Sequence, residues 1–109
     1  MNMNGTYDIV ITDNAEQDLN EIILYIAQRE ITIAQGIYEK LQSKVFSLRT
    51  FPEKGRIVPE LFDHNIFQYH EVIENPWRII YKIEDKKVFI MTVLDGRRNV
   101  EDILLKKLL

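Results

Sequence analysis

Residues 6–11 begin by alternating polar and apolar positions and are rich in β-branched side chains, the period-two signature of a short strand. At Asp13 the period becomes helical. Ala15, Leu19, Ile22, Ile23 and Ile26 recur at the i, i+4, i+7, i+8, i+11 spacing of one face, and Asp13 with Glu16 three residues later makes a capping-box-like start. A second stripe, Ala34, Ile37, Tyr38, Leu41, Val45 and Leu48, predicts a helix that begins at Thr32, with Gln35 as its capping partner, and stops at Phe51-Pro52. The short break at 29–31 folds the two helices into an antiparallel hairpin whose apolar stripes face a common neighbour.

Residues 50–66 hold Pro52, Gly55 and Pro59 with little periodicity, which predicts a surface loop. Strands are then expected at 67–73, 77–83 and 88–94, the last nearly all apolar as befits a central strand covered on both faces. Glu84-Asp85-Lys86-Lys87 turns the last two into a hairpin. Trp77, Ile79, Tyr81 and Ile83 share one face, and Arg78, Ile80 and Lys82 the other. A closed turn sets Arg78 opposite Val93, with Asp95 nearby on the same face. Asn99 caps a final helix with Asp102 at its third position, and Val100, Ile103, Leu104 and Leu108 form its stripe. The expected fold is α+β: an N-terminal strand and a helical hairpin packed on a mainly antiparallel sheet of about four strands, with a short C-terminal helix, over one domain at 1–109.

Composition narrows the chemistry. The chain of 109 residues is 46% hydrophobic and 28% charged, enough apolar surface to offset the entropy of folding. It has no cysteine, so disulfides, thiolate metal sites and cysteine nucleophiles drop out, and a reducing cytoplasm is the expected setting. The opening Met1-Asn2-Met3-Asn4-Gly5 lacks the pattern of a secretory signal, and no apolar run approaches ~18 residues, so no membrane partner is expected. The net charge of −3 argues against binding nucleic acid mainly through phosphate. Residues 1–40 set Arg29 and Lys40 against seven acids, whereas 76–109 hold eight bases and five acids, so an anion-seeking surface belongs to the C-terminal third.

Four glycines, at 5, 36, 55 and 96, cannot spell a P-loop or a dinucleotide fingerprint, so no cofactor is expected. Ser43 and Ser47 lie inside the second helix, where no strained nucleophile turn forms. His64 and His70 with Asp63 and Glu71 match no metal-ligand spacing and are read as surface polar residues, so no metal is expected. Arg78 and Asp95 are placed to pair across strands. Arg97 and Arg98, at the start of the last helix, either pair with Glu101 and Asp102 or hold an anion. Arg56 is expected to clamp Glu53 or Glu60, or to reach a ligand. Leu24 and Tyr25 lie off the main stripe of the first helix and, with Leu105 and Leu109, suggest an apolar surface for a protein partner.

The run Ala15-x-x-Asp18-Leu19-x-x-Ile22-x-x-Tyr25-Ile26, then Ala34, Leu41, Leu48 and Phe51-Pro52-x-x-Gly55-Arg56-x-Val58-Pro59-Glu60-Leu61, resembles the RelE/ParE superfamily of toxin–antitoxin toxins. Trp77-Arg78-Ile79-Ile80-Tyr81-Lys82-Ile83 resembles its Tyr-Arg-Ile-x-Tyr strand, and Asp95-Gly96-Arg97-Arg98 its His-Gly-Arg-Arg ending. The resemblance implies a small cytoplasmic toxin neutralised by a cognate antitoxin, alone as a homodimer or as a toxin–antitoxin heterotetramer. RelE-like members cleave mRNA on the ribosome, while ParE-like members poison DNA gyrase. For a nuclease, the resemblance assigns Arg78 and Arg98 as phosphate clamps, to which the nuclease reading adds Arg56 as a third clamp and Glu71 or Asp95 as base. For a gyrase poison, Arg97, Arg98, Ile103 and Leu104 form the target surface; Leu24, Tyr25, Leu105 and Leu109 meet the antitoxin under either reading. The nuclease pattern is incomplete: Tyr69 and Glu71 stand where RelE-like nucleases place lysines, Asp95 replaces the usual histidine, and Leu104 lies near the place of a tyrosine. A nuclease without such groups loses acid–base help of typically 10²–10⁴-fold. The expectation leans to the ParE-like side, with the ribosome-dependent endoribonuclease and a degenerate nontoxic binding module as the alternatives.

Overall fold

The computed structural model describes residues 5–109; the reading of the first four residues lies outside them. Its elements are β1 (Asp8–Ile11), α1 (Asp13–Ala27), α2 (Ile31–Phe46), β2 (Arg56–Ile57), α3 (Pro59–Phe62), β3 (Tyr69–Glu74), β4 (Trp77–Glu84), β5 (Lys87–Asp95) and α4 (Val100–Leu108). The strands form one sheet in the order β1-β5-β4-β3-β2. β1 runs parallel to β5, and the other neighbours are antiparallel. The α+β class and the helical hairpin on the sheet are as expected, but the sheet has five strands rather than about four. The extra strand, β2, lies in the segment 50–66 read as a loop, with α3 and the 3₁₀ turn Pro52–Lys54; a second 3₁₀ turn, Ser47–Arg49, precedes it.

The helix boundaries shift for local reasons. Thr12, not Asp13, caps α1, its hydroxyl accepting the Ala15 N–H at 3.2 Å. α2 starts one residue before Thr32, behind Glu30, which makes no side-chain cap bond. It tightens into a 3₁₀ turn at Ser47 before reaching Pro52. α4 begins as read, with Asn99 accepting from the Asp102 N–H at 3.3 Å.

Both faces of the sheet are covered. Ala15, Leu41, Val45 and Leu48 from the hairpin pack on Val72, Ile79, Tyr81, Val88, Ile90 and Val93. On the opposite face Val58 and Leu61 at α3, and Val100 and Leu104 of α4, pack on Tyr69, Ile80 and Leu94. The face assignment along β4 therefore holds, because period-two geometry fixes it. Asp85 and Lys86 turn the β4–β5 hairpin with φ of 49° and 65°, the left-handed pair that suits a two-residue hairpin turn. From this turn the register runs as expected to Tyr81 opposite Ile90, then shifts, so that Ile80 faces Thr92. Met91 is the extra residue of a bulge, and Arg78 faces Leu94 instead of Val93.

Candidate functional site

β1 has four residues and β5 nine, so the upper part of β5 has no strand on its outer edge. Unpaired edge amides and carbonyls need other partners. The start of α1 supplies them. Thr12 donates from its backbone N–H and its hydroxyl to the Ile90 carbonyl, at 3.2 and 2.7 Å. Asn14 donates to the Met91 carbonyl at 2.8 Å. Asp18, buried on the inner face of α1, accepts from the Val93 N–H at 3.0 Å and the Thr92 hydroxyl at 2.5 Å. Its other oxygen accepts from Lys107 Nζ of α4 at 2.8 Å. One carboxylate thus joins α1, β5 and α4.

Above this edge a cleft of about 730 Å³ opens between the helical hairpin and the upper ends of β4 and β5. Ile22, Ile26, Ile37, Trp77 and Val93 give it an apolar lining, and Tyr25, 65% exposed, stands on its α1 side. Arg97 and Arg98 also line it. Asp95 holds Arg97 through Nε at 3.0 Å and Nη2 at 2.7 Å, and accepts the Arg97 backbone N–H at 2.9 Å. Those bonds from Arg97 pull the Asp95 carboxyl down to about 2. The expected pairing of Arg78 with Asp95 is absent because Arg97 takes this carboxylate instead.

Arg78 belongs to a different network. It makes a two-pronged bond to Glu60, Nη1 to Oε2 at 2.8 Å and Nη2 to Oε1 at 2.7 Å, while its Nε donates to Glu71 Oε1 at 2.6 Å. Arg56 closes the chain by donating to Glu71 Oε2 at 2.6 Å, rather than to Glu53 or Glu60. Glu71 is 1% exposed and Arg78 7%. The Arg78 bonds lower the Glu60 pKa, and the carboxylates raise that of Arg78. Gly96 seals the network from above: a Cβ there would lie 2.9 Å from Arg78 Cδ, and the Gly96 N–H donates to the Pro76 carbonyl at 2.8 Å.

The candidate residues therefore separate. Arg97, Arg98, Asp95 and Tyr25 gather at the cleft, while Arg78 and Glu71 are buried beneath the sheet end with Arg56 at their side. Leu24 and Leu109 are exposed. Leu104, assigned to the target surface, is fully buried because it anchors α4, and Ile103 and Leu105 pack partly against the same core. His64 bonds Glu101 at 2.6 Å while His70 stacks on Tyr81, so the two histidines do not form a cluster. Asp18 and Glu60 carry roles that the sequence reading missed. An acid three residues after Ala15, within the buried stripe of α1, was the available signal for Asp18.

Residues 9–100 match the family model of the ParE toxin of the type II toxin–antitoxin system parDE. The chain belongs to the ParE toxin family. Toxin ParE3 of Caulobacter vibrioides is 24% identical over 104 residues, covering 91% of this chain and 96% of the relative. The chromosomal ParDE toxin–antitoxin system of P. aeruginosa contains a chain with the same fold, at 16% identity and a TM-score of 0.67, covering 84% of this chain and 97% of that one. A mutant of the E. coli toxin RelE in the free state gives 13% identity and a TM-score of 0.60 over 94% and 95% of the two chains. The RelBE2 toxin–antitoxin complex of Mycobacterium tuberculosis gives 19% and 0.56, over 83% and 91%. This ParE-family chain is a toxin of a type II toxin–antitoxin system, and the RelE/ParE resemblance holds, with the family model matching residues 9–100.

Proposed function

We propose that this ParE-family toxin acts by binding rather than by cleavage, with DNA gyrase as its target in the cytoplasm and a cognate antitoxin as its neutralising partner. The state of Arg78 and Glu71 carries the reading. A clamp for a reacting phosphate needs a guanidinium free to leave its protein partners, and a general base needs a carboxylate oxygen within reach of the proton it takes. Arg78 commits one donor from each of its three nitrogens to Glu60 and Glu71, and both Glu71 oxygens accept from an arginine. A paired, buried ion set of this kind is costly to open. Asp95, the other candidate base, is held ionised by Arg97 and is a weak proton acceptor at neutral pH.

What remains exposed suits a protein contact. Arg98, with Arg97 beside it, borders an apolar cleft containing Trp77, the mix of arginine and aromatic side chains enriched where proteins bind each other. Arg97 and Arg98 are the proposed target contacts, and Leu24 and Tyr25 the proposed antitoxin contacts. The purified toxin is expected to inhibit supercoiling at micromolar concentration, to leave ribosome-bound mRNA intact, and to lose its effect when the antitoxin is added. Cleaved message beside uninhibited supercoiling overturns the proposal.

A further inference from the structure

We infer that the β1 edge of the sheet is a contact for a second copy of this chain, paired with it antiparallel about a two-fold axis at Val10. Along a strand the backbone groups of successive residues aim to alternate sides. The Asp8 and Thr12 N–H groups donate to the Lys86 and Ile90 carbonyls at 3.0 and 3.2 Å, so Asp8, Val10 and Thr12 face β5 while Ile9 and Ile11 face outward. Arg49 covers only the start of that outer side, its carbonyl accepting the Tyr7 N–H at 2.8 Å. Among the described residues no strand lies outside β1. Such edges are usually blunted by lysine, proline or a bulge, and Ile9-Val10-Ile11 has none of these.

Self-complementarity selects the chain itself as the occupant. Ile9-Val10-Ile11 reads the same in both directions, so an axis through Val10 sets Ile9 opposite Ile11 of the second copy, and these outward residues exchange backbone hydrogen bonds. Apolar surface lies beside the edge: Ile11, Tyr38 and Phe46, each about half exposed, line a shallow hollow with Leu19 and Val45. Two-fold pairing brings the two hollows together. Charge agrees with this direction. It carries the start of one β1, where Arg49 stands, toward the start of α1 in the other copy, where Asp13 stands; both are exposed, and neither has an ion-pair partner among the described residues. The residues named line no part of the cleft, and the inference is independent of the gyrase reading.

Sedimentation velocity of the purified full chain, from micromolar to submillimolar concentration, tests it. The wild type is expected to pass from monomer to dimer with a dissociation constant on the order of 10 μM, as suits a small interface. Ile11→Lys, which puts a charge on the edge, is expected to weaken the dimer by about tenfold or more. Arg49→Asp and Asp13→Arg each set like charges across the contact and are expected to weaken it about fivefold, whereas the double variant Arg49→Asp/Asp13→Arg regains the wild-type constant. All variants are compared at a temperature where their circular dichroism matches that of the wild type, so that lost pairing is read apart from lost folding. A chain that stays monomeric throughout, a dimer indifferent to Ile11→Lys, a double variant no tighter than the single ones, or growth beyond the dimer overturns the inference.

Discussion

Arg78 grips both oxygens of Glu60, at 2.8 and 2.7 Å, and so ties β4 to the start of α3 across 18 positions of sequence. The Nε bond to Glu71 adds β3, and Arg56 adds β2. The segment between the helical hairpin and the third strand is held down by charge as well as by Val58 and Leu61.

Removing the central cation leaves Glu71 buried without its main partner. Arg78→Ala is therefore expected to cost about 3–5 kcal/mol in urea unfolding. Arg78→Lys recovers only part of this, since an ammonium cannot reproduce the planar fork. If Arg78→Ala unfolds at the wild-type urea midpoint, the network contributes nothing to stability.

Acid should weaken this network and, separately, the Asp95–Arg97 pair at the cleft. The Arg78 bonds hold Glu60 below its ordinary value of 4.5, and the Arg97 bonds bring Asp95 to about 2. A carboxylate depressed on folding stabilises fully above its unfolded pKa, and that contribution fades as pH falls through the folded value. The urea midpoint should therefore decline from about pH 5 toward pH 2. Glu60→Gln should be less stable than wild type at pH 7 and show a shallower acid decline; parallel curves for the two proteins would falsify the assignment.

Gly55 has no room for a side chain. A Cβ there would collide with the Glu71 carbonyl oxygen and the Tyr81 hydroxyl, while that hydroxyl accepts the Gly55 N–H at 3.1 Å and donates to the Pro52 carbonyl at 2.6 Å. Gly55→Ala is expected to lose about 2 kcal/mol or more through backbone displacement, and Tyr81→Phe about 1–2 kcal/mol through the two lost bonds. Thermal melting of both variants checks the order.

Surface and core roles separate at the end of the chain. Arg98→Glu should keep its stability within about 0.5 kcal/mol, as an exposed change does, yet weaken supercoiling inhibition by about tenfold. Leu104→Ala should instead cost about 2–5 kcal/mol, with inhibition per folded molecule unchanged. Equal loss of inhibition per folded molecule in both variants would place a target contact at Leu104.

Most elements were legible because periodicity survives in them. α1, α2 and α4 follow from stripes, and the three long strands from alternation, β-prone side chains or, for β5, an apolar run. β2 was not legible, since Arg56 and Ile57 are too few to show a period. The bulge at Met91 lies where both neighbouring positions, Ile90 and Thr92, are buried, so no exposed residue marks the lost alternation. The electrostatic partners were the least legible part. Arg78 was read against Asp95 from strand register alone, but the loop residue Glu60 offers a fork and Arg97 already occupies Asp95. Cross-strand geometry does not see a carboxylate brought in by a short helix.

The parallel contact between β1 and β5 has a consequence during synthesis. Once made, β1 has no neighbour until residues 87–90 follow it, and the cleft needs walls from residues 18–37 as well as from 76–98. Local helices form early, whereas pairing across such a span comes late. A message broken before that point therefore yields a fragment without β5 and without the cleft that β5 helps to wall.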